Sequence, residues 1–448
     1  MTIKNVLPNP GGLRVGAEIE LCFNDLLANG QAVGRFEGQV VFVFGPLPLE
    51  RARVRVTSLK AKYAVAEMVA LTDQSPHRVK PFCVVFGRCG GCQLQHLSYE
   101  AQLKWKRDTV RNALARIAGI KDAEVSSTIG LNNPKAYRNK MSLVVDRSSM
   151  NEKVGFYQQR SHRVVAIDEC PIVLPQLSGY IPVLRDAVAD ARHIVARAGQ
   201  STGQAVVTYT TLRRSSAAAR VSRWLFRKLP GAIGITNSFD LAGENAILGS
   251  KFAVLAGTEH MEERIGGIRY RISTGSFFQI NSEVVSRIFL FLQNKLGATR
   301  KIVDLYCGVG TFSLFFAQRG ASVWGVEENA AAIREAQFNA ELNGLAPLVT
   351  LYQSRVEDAV KRNPIRAALA AADTAFLDPP RKGTDERTLA AIAAANVSNV
   401  WYLSCDAATL ARDLKVLVSA GYTLHTVQPF DMFPQTGHVE TLALLGKE

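Results

Sequence analysis

From Ser276 onward, short apolar runs alternate with stretches of helical period. Residues 302–305, 322–326, 349–352, 374–377 and 399–403 read as buried strands. Residues 284–292, 312–318, 330–342, 388–395 and 407–417 read as helices. That alternation predicts a doubly wound α/β sheet. Near the other end the period is two rather than 3.6. Residues 17–23, 39–44, 51–58 and 64–71 read as half-buried strands, separated by turn signals such as Ala28-Asn29-Gly30. Short strands at that spacing predict a small closed β-barrel of the OB-like kind. Between these two patterns, residues 99–117 carry helical period (Leu103, Val110, Leu114, Ile117), and residues 141–145 read as an apolar strand.

A chain of 448 residues has length for two or three domains. The changes of pattern divide it into 1–75, a β-barrel; 76–275, a central α+β domain; and 276–448, a Rossmann-like α/β domain. Ser75-Pro76-His77 reads as the first linker. No apolar run approaches the ~20 residues that cross a bilayer. The opening Met1-Thr2-Ile3-Lys4-Asn5-Val6-Leu7-Pro8 lacks the apolar core of a signal peptide, so a cytoplasmic protein with no membrane partner is expected.

Charge sharpens this picture. The net +14 is uneven: residues 1–250 hold 33 Lys+Arg against 19 Asp+Glu, whereas residues 251–448 hold 20 of each. The whole excess lies in the N-terminal part, where a polyanion would be met. Three features offer contacts. Arg51, Arg53 and Arg55 alternate with apolar residues and share one face. Lys135-Ala136-Tyr137-Arg138-Asn139-Lys140 sets an aromatic among cations, suited to stacking beside phosphate. Residues 213–228 form a further basic patch with Trp224 and Phe226. An ordinary solvated charged face explains each about as well.

The cysteines stand at 22, 83, 89, 92, 170, 307 and 405. An odd number without a secretory signal argues for metal or catalytic use rather than disulfides. Cys83-x5-Cys89-Gly90-Gly91-Cys92 is a metal-ligand spacing, and Cys170, in a proline-flanked turn, is the candidate fourth thiolate. Zinc and an iron–sulfur cluster both accept four thiolates, and the single close pair leans toward the cluster. The spacing is not the C-x3-C-x2-C of radical chemistry, so a structural role is expected.

Residues 301–314 carry an acid at a strand end, then Gly308-Val309-Gly310, then a helix start: a cradle for a nucleotide-like ligand. Glu327 ends the next strand, placed to accept hydrogen bonds from ribose hydroxyls. A nicotinamide dinucleotide is disfavoured because Ser313 replaces the third glycine. Asp378-Pro379-Pro380-Arg381 and Ser404-Cys405-Asp406 each follow a strand, at the sheet edge where ligands sit. A thiol at a helix N-terminus is expected to have a lowered pKa, which makes Cys405 a candidate nucleophile. Glu440, among apolar residues, is expected to have a raised pKa and to serve as a base. Cys307 reads as packing.

Together, Phe277-Phe278-Gln279-Ile280-Asn281, residues 304–310, residues 378–383, Ser404-Cys405-Asp406 and His438-Val439-Glu440-Thr441 resemble the S-adenosylmethionine-dependent RNA uracil-5-methyltransferases. Residues 12–70 resemble the TRAM RNA-binding barrel. Cys83, Cys89, Cys92 and Cys170 resemble the [4Fe–4S] site of the branch that acts on 23S ribosomal RNA. The resemblance implies S-adenosyl-L-methionine as methyl donor, contacted by Gln279, Tyr306, Glu327 and Asp378. It implies that Cys405 adds to uracil C6 and that Glu440 removes the C5 proton. Phe277 is a stacking candidate for the target base, and Thr311 stands where some relatives carry asparagine. The expected partner is 23S ribosomal RNA, with the transfer RNA T-loop or a non-catalytic RNA-binding role as alternatives. A monomer is expected.

Overall fold

Alternating burial builds the first sheet. In β4 (Arg51–Leu59) Ala52, Val54 and Val56 point inward while Arg51, Arg53 and Arg55 point out. With β1 (Glu18–Leu26), β2 (Gln31–Phe36), β3 (Gln39–Phe44) and β5 (Tyr63–Asp73) it closes a barrel in the order β1-β2-β3-β5-β4. The sequence reading had no strand at β2, because Gly34 and Arg35 interrupt its apolar alternation. The arginine face is largely occupied by neighbouring strands. Arg55 donates to Glu18 at 2.7 Å and Glu67 at 3.2 Å, and Arg53 pairs with Glu18 at 3.5 Å.

The computed structural model describes residues 12–148, 153–243, 246–297 and 300–447. The opening octapeptide, read above for a signal, lies outside them. Contacts gather the described residues into two units. One runs to Gln102 and includes Gln435–Gly437; the other comprises Leu103–Pro434 and the residues from His438 on. The expected linker at Ser75-Pro76-His77 is instead anchored to the barrel. Ser75 N–H donates to the buried Glu50 carboxylate at 3.2 Å, and Arg78 binds Glu50 at 2.5 Å and the Gly45 carbonyl at 2.6 Å. Burial alone would raise the Glu50 carboxyl, but Arg78 and the N–H groups of Leu47 and Ser75 hold it below its ordinary range.

Helix α1 (Tyr99–Ala113) widens into a π-helical turn at Leu114–Ala118 and stops at Gly119 in the left-handed region (φ 77°). Lys106, on this helix, is completely buried and paired with Asp431. The same buried region holds Tyr137, whose hydroxyl donates to Pro434 O at 3.0 Å. It is therefore core, unavailable for stacking on a nucleobase.

The larger unit contains two seven-stranded sheets. The first comprises β6 (Lys140–Asp146), β7 (Lys153–Tyr157), β8 (Val164–Ala166), β9 (His193–Ala198), β10 (Ala205–Thr210), β11 (Ala232–Phe239) and β12 (Lys251–Gly257). Its order is β12-β11-β10-β9-β6-β7-β8, antiparallel except for β10–β11. Helix α2 (Pro175–Arg185) packs on β9, and α3 (Ser216–Lys228) on β11 and β12. A hairpin, β13 (His260–Ile265) and β14 (Ile268–Ser273), follows.

The second sheet is the doubly wound one. It contains β15 (Lys301–Leu305), β16 (Ser322–Glu327), β17 (Val349–Gln353), β18 (Thr374–Leu377), β19 (Asn399–Ser404), β20 (Thr423–Phe430) and β21 (Glu440–Gly446), ordered β17-β16-β15-β18-β19-β21-β20. The first five run parallel and β21 is antiparallel to both neighbours. The order reverses between β15 and β18, which opens a crevice at their carboxyl ends. Phe312, Phe315 and Phe316 of the helix Thr311–Gln318 pack with Phe289 and Phe376, the Phe289 and Phe315 rings stacking at 4.3 Å. Each such ring contributes roughly 1.5–3 kcal/mol of burial, which fixes the helix and the glycine turn before it.

Candidate active site

The crevice opens from the turn after β15. Tyr306 takes a positive φ of 74°, costly for a residue with a Cβ. It is held there because Tyr306 and Cys307 N–H both donate to Val326 O, at 3.0 and 2.9 Å, and the Tyr306 hydroxyl meets Thr384 Oγ1 at 2.5 Å. Gly308 and Gly310 also have positive φ, 56° and 87°, and Gly310 caps the helix that follows. Cys307 is buried against Gly325, where any Cβ would lie 2.9 Å from its sulfur, in keeping with a packing role.

Around this turn stand the expected cofactor residues. Glu327, at the end of β16, accepts from Gly308 N–H at 3.2 Å and Asn329 N–H at 2.8 Å. Asp378, just past β18, is half-buried and accepts from Gln279 Nε2 at 3.2 Å. Burial, then the neighbouring Asp304 carboxyl, pushes Asp378 up to about 7 despite that bond. The loop after it is tied down by the buried Asp413, which accepts from Thr384 N–H at 3.0 Å and the Tyr402 hydroxyl at 2.6 Å. Gln279, Tyr306, Glu327, Asp378, Cys405, Glu440 and Phe277 all line one cavity of about 900 Å³. Phe277 is 70% exposed at its wall.

Cys405 follows β19, whose last residue, Ser404, pairs with Thr441, so Glu440 at the head of β21 lies beside it across the ladder. The expected lowering of the thiol pKa is not what the structure gives. Burial, then Glu440, raises Cys405 to about 12; Asp378 and Asp406 add to the rise and Arg381 opposes it. The helix that begins at Ala407 does not favour the thiolate, because Asp406 already accepts its free N–H groups, from Ala408 at 3.0 Å and Thr409 at 2.9 Å. Glu440 behaves as expected: burial, then Asp378, raises it well above an ordinary carboxyl, and its Oε1 is buried without a hydrogen-bond partner.

Two features of the site were not assigned from sequence. Arg381 is the one cation acting on both Cys405 and Glu440, and it meets His438 Nε2 at 3.3 Å. Its place directly after Asp378-Pro379-Pro380 was the available signal. Phe433 also lines the cavity. Its carbonyl accepts from Lys106 Nζ at 3.0 Å, a contact that joins positions too far apart in the chain to be read together.

Cys83, Cys89, Cys92 and Cys170 are all half-buried. Gly91 N–H donates to Cys89 Sγ at 3.4 Å, and burial, with a smaller contribution from Cys83, raises the Cys89 thiol. Among the described residues no group of three or more His, Cys, Asp or Glu side chains is gathered to hold a metal ion. The donor types fit a thiolate-bound metal. Among the described residues no helix is long and apolar enough to cross a membrane.

Comparison with known proteins places these features. Residues 254–448 match the tRNA (uracil-5-)-methyltransferase family model, and residues 12–69 match the TRAM domain. An uncharacterised RNA methyltransferase of Halalkalibacterium halodurans is 37% identical over 95% of this chain and 96% of its own. One from Thermosynechococcus vestitus is 37% identical over 96% and 98%. Among solved structures, the Pyrococcus abyssi tRNA (uracil-54, C5)-methyltransferase in complex with S-adenosyl-L-homocysteine is similar, with a TM-score of 0.75 and 27% identity. The match covers 95% of this chain and 99% of that one.

Proposed function

Since this chain belongs to the S-adenosylmethionine-dependent uracil-5 RNA methyltransferases that carry a TRAM domain, we propose that it methylates C5 of a uridine in 23S ribosomal RNA through a covalent Cys405–C6 adduct. The observation that carries the reading is one cavity lined by both Cys405 and Glu440 together with Gln279, Tyr306, Glu327 and Asp378.

When bound, S-adenosylmethionine supplies an electrophilic methyl group on a cationic sulfur. Glu327 is the candidate ribose acceptor, and Gln279, Tyr306 and Asp378 line the rest of its site. A cationic ligand in this cavity also offsets the mutual repulsion of Asp378 and Glu440, favouring their ionised forms. Cys405 gives its proton to solvent and Sγ adds to C6, and the C5–C6 π electrons move into the C4 carbonyl as an enolate. C5 then forms its bond to the methyl carbon as that carbon's bond to sulfur breaks. Ionised Glu440 takes the C5 proton, and the C6–S bond breaks to return the thiolate. Attack at C6 comes from the ring face, so the uridine must leave its stack, and Phe277 is placed to stack on it.

The archaeal structural relative acts on uracil 54 of transfer RNA, which favours the T-loop as a second reading. Incubation with labelled S-adenosylmethionine and unmodified ribosomal or transfer RNA, followed by mapping of 5-methyluridine, separates the two. Label in ribosomal RNA is the expected result. Label confined to transfer RNA overturns the target but keeps the chemistry. A structural [4Fe–4S] cluster on Cys83, Cys89, Cys92 and Cys170 is supported by sequence spacing and thiol chemistry, and no step above runs through it. Four iron atoms per chain after anaerobic purification would support it, and active iron-free protein would overturn it.

A further inference from the structure

Residues 191–239 contain eight Lys and Arg and no Asp or Glu. Six of those cations, Arg213, Arg214, Arg220, Arg223, Arg227 and Lys228, lie on α3 or the turn leading into it, and all six are exposed. Helix geometry sorts them. Ala218, Ser222 and Leu225 are buried, facing β11 and β12, while Arg220, Arg223, Trp224 and Arg227 fall at i, i+3, i+4 and i+7 on the opposite side. Ser215 fixes the start of the helix, its hydroxyl accepting from Ala218 N–H at 2.8 Å. Among the described residues none of the six cations forms an ion pair, although paired arginines are common elsewhere in the molecule. Trp224 remains 39% exposed between them.

We propose that this outward face of α3 docks the substrate RNA, with Arg220, Arg223 and Arg227 on successive phosphates and Trp224 stacked on an unpaired base. The proposal rests on the reading of this chain as an RNA methyltransferase and adds a binding surface to it. Charge complementarity selects a polyanion, and the indole selects one with exposed π faces. A lipid surface is disfavoured because the apolar side of the helix, with Ala218 and Leu225, is buried on its own sheet, leaving only Trp224 and Phe226 partly exposed rather than a continuous apolar face to insert.

The test uses the full chain with Arg220→Gln, Arg223→Gln and Arg227→Gln combined, and separately Trp224→Ala. RNA affinity is measured as a function of salt, alongside S-adenosylmethionine binding and turnover at saturating RNA. The triple variant is expected to lose tenfold or more in RNA affinity, and its salt slope should fall by about 2, at about 0.7 for each phosphate contact to a single strand. Trp224→Ala is expected to lose roughly tenfold without a change of slope. Cofactor binding and saturated turnover should hold, and the triple Arg→Lys variant should keep the slope. If the glutamine triple does not fold, Arg223→Gln and Arg227→Gln singly carry the test. Unchanged affinity and slope overturn the proposal, as does equal competition by polyglutamate. A wild-type chain that binds RNA through this face yet methylates no uridine would sustain the docking surface and overturn the proposed function instead.

Discussion

The two seven-stranded sheets of the larger unit bury charge of opposite sign. In the doubly wound sheet, Asp304 and Glu440 are buried and Asp378 half-buried, and all three acids are raised above their ordinary range by loss of water first. In the mainly antiparallel sheet, Arg197 is buried and Lys140 half-buried, and both bases are lowered by loss of water first, to about 10 and about 7. Arg381 opposes the rise of Glu440 and Glu335 opposes the fall of Arg197, but neither opposite charge outweighs burial. Incompletely compensated burial of this kind costs stability and is characteristic of sites that await a ligand. The signs agree with the chemistry: acids where a cationic methyl donor is held, bases in the part of the chain that carries the whole excess positive charge.

The largest effects should come from breaking the acid-rich sheet's chemistry. Cys405→Ala is expected to lower methylation by about 10⁴-fold or more while S-adenosylmethionine binding persists. Glu440→Gln should instead stall after methyl transfer, because the proton at C5 cannot leave. Release of product should slow by roughly 10²–10⁴-fold, with an RNA–protein adduct stable to denaturation and absent from the Cys405 variant. A Glu440→Gln enzyme that turns over freely without adduct would remove Glu440 from the proposed role.

Lys106 and Asp431 sharpen the contrast, because there the buried charges are paired. Both side chains are fully buried and Lys106 Nζ also donates to Phe433 O. Lys106→Met leaves the Asp431 carboxylate unpaired and should cost about 3–5 kcal/mol in denaturant unfolding, whereas Lys106→Met with Asp431→Leu should recover most of it. Equal losses in the single and double variants would show that the pair does not act as a unit.

Much of the acid-rich sheet was legible in the sequence, because its ligand-facing residues sit at strand ends with proline, glycine and acid in close succession. All the expected cofactor and catalytic residues meet in one cavity. What escaped was environment. Cys405 was expected to be acidic from its place beside a helix start, but Asp406 occupies the helix N–H groups and three carboxyls face the thiol. Lys106 shares the inward spacing of Leu103 and Val110, but nothing near it in the sequence announces Asp431, the distant partner that lets its charge be buried. Of the mainly antiparallel sheet only β6 was read, as residues 141–145. Its strands pair across long separations, as β6 with β9, and no local pattern announces that partner.

The smallest effects, and the most direct test of the opposite signs, lie in the pH dependence of stability. Asp378 rises from an ordinary 3.8 to about 7, so between those values the unfolded chain is ionised there and the folded chain is not. The folded state then holds more protons, and stability contributed by this group falls as pH rises from 4 to 7. Lys140 drops from 10.5 to about 7, so across that window the unfolded chain holds the extra proton and stability rises with pH. Each slope approaches about 1.4 kcal/mol per pH unit inside its window. Asp378→Asn should reduce the slope of the acid limb alone, to which Asp304 still contributes, and Lys140→Met that of the alkaline limb alone, in unfolding curves taken without ligand. If either substitution flattened both limbs, or neither did, the opposed burial of charge in the two sheets would not be what shapes the stability of this protein.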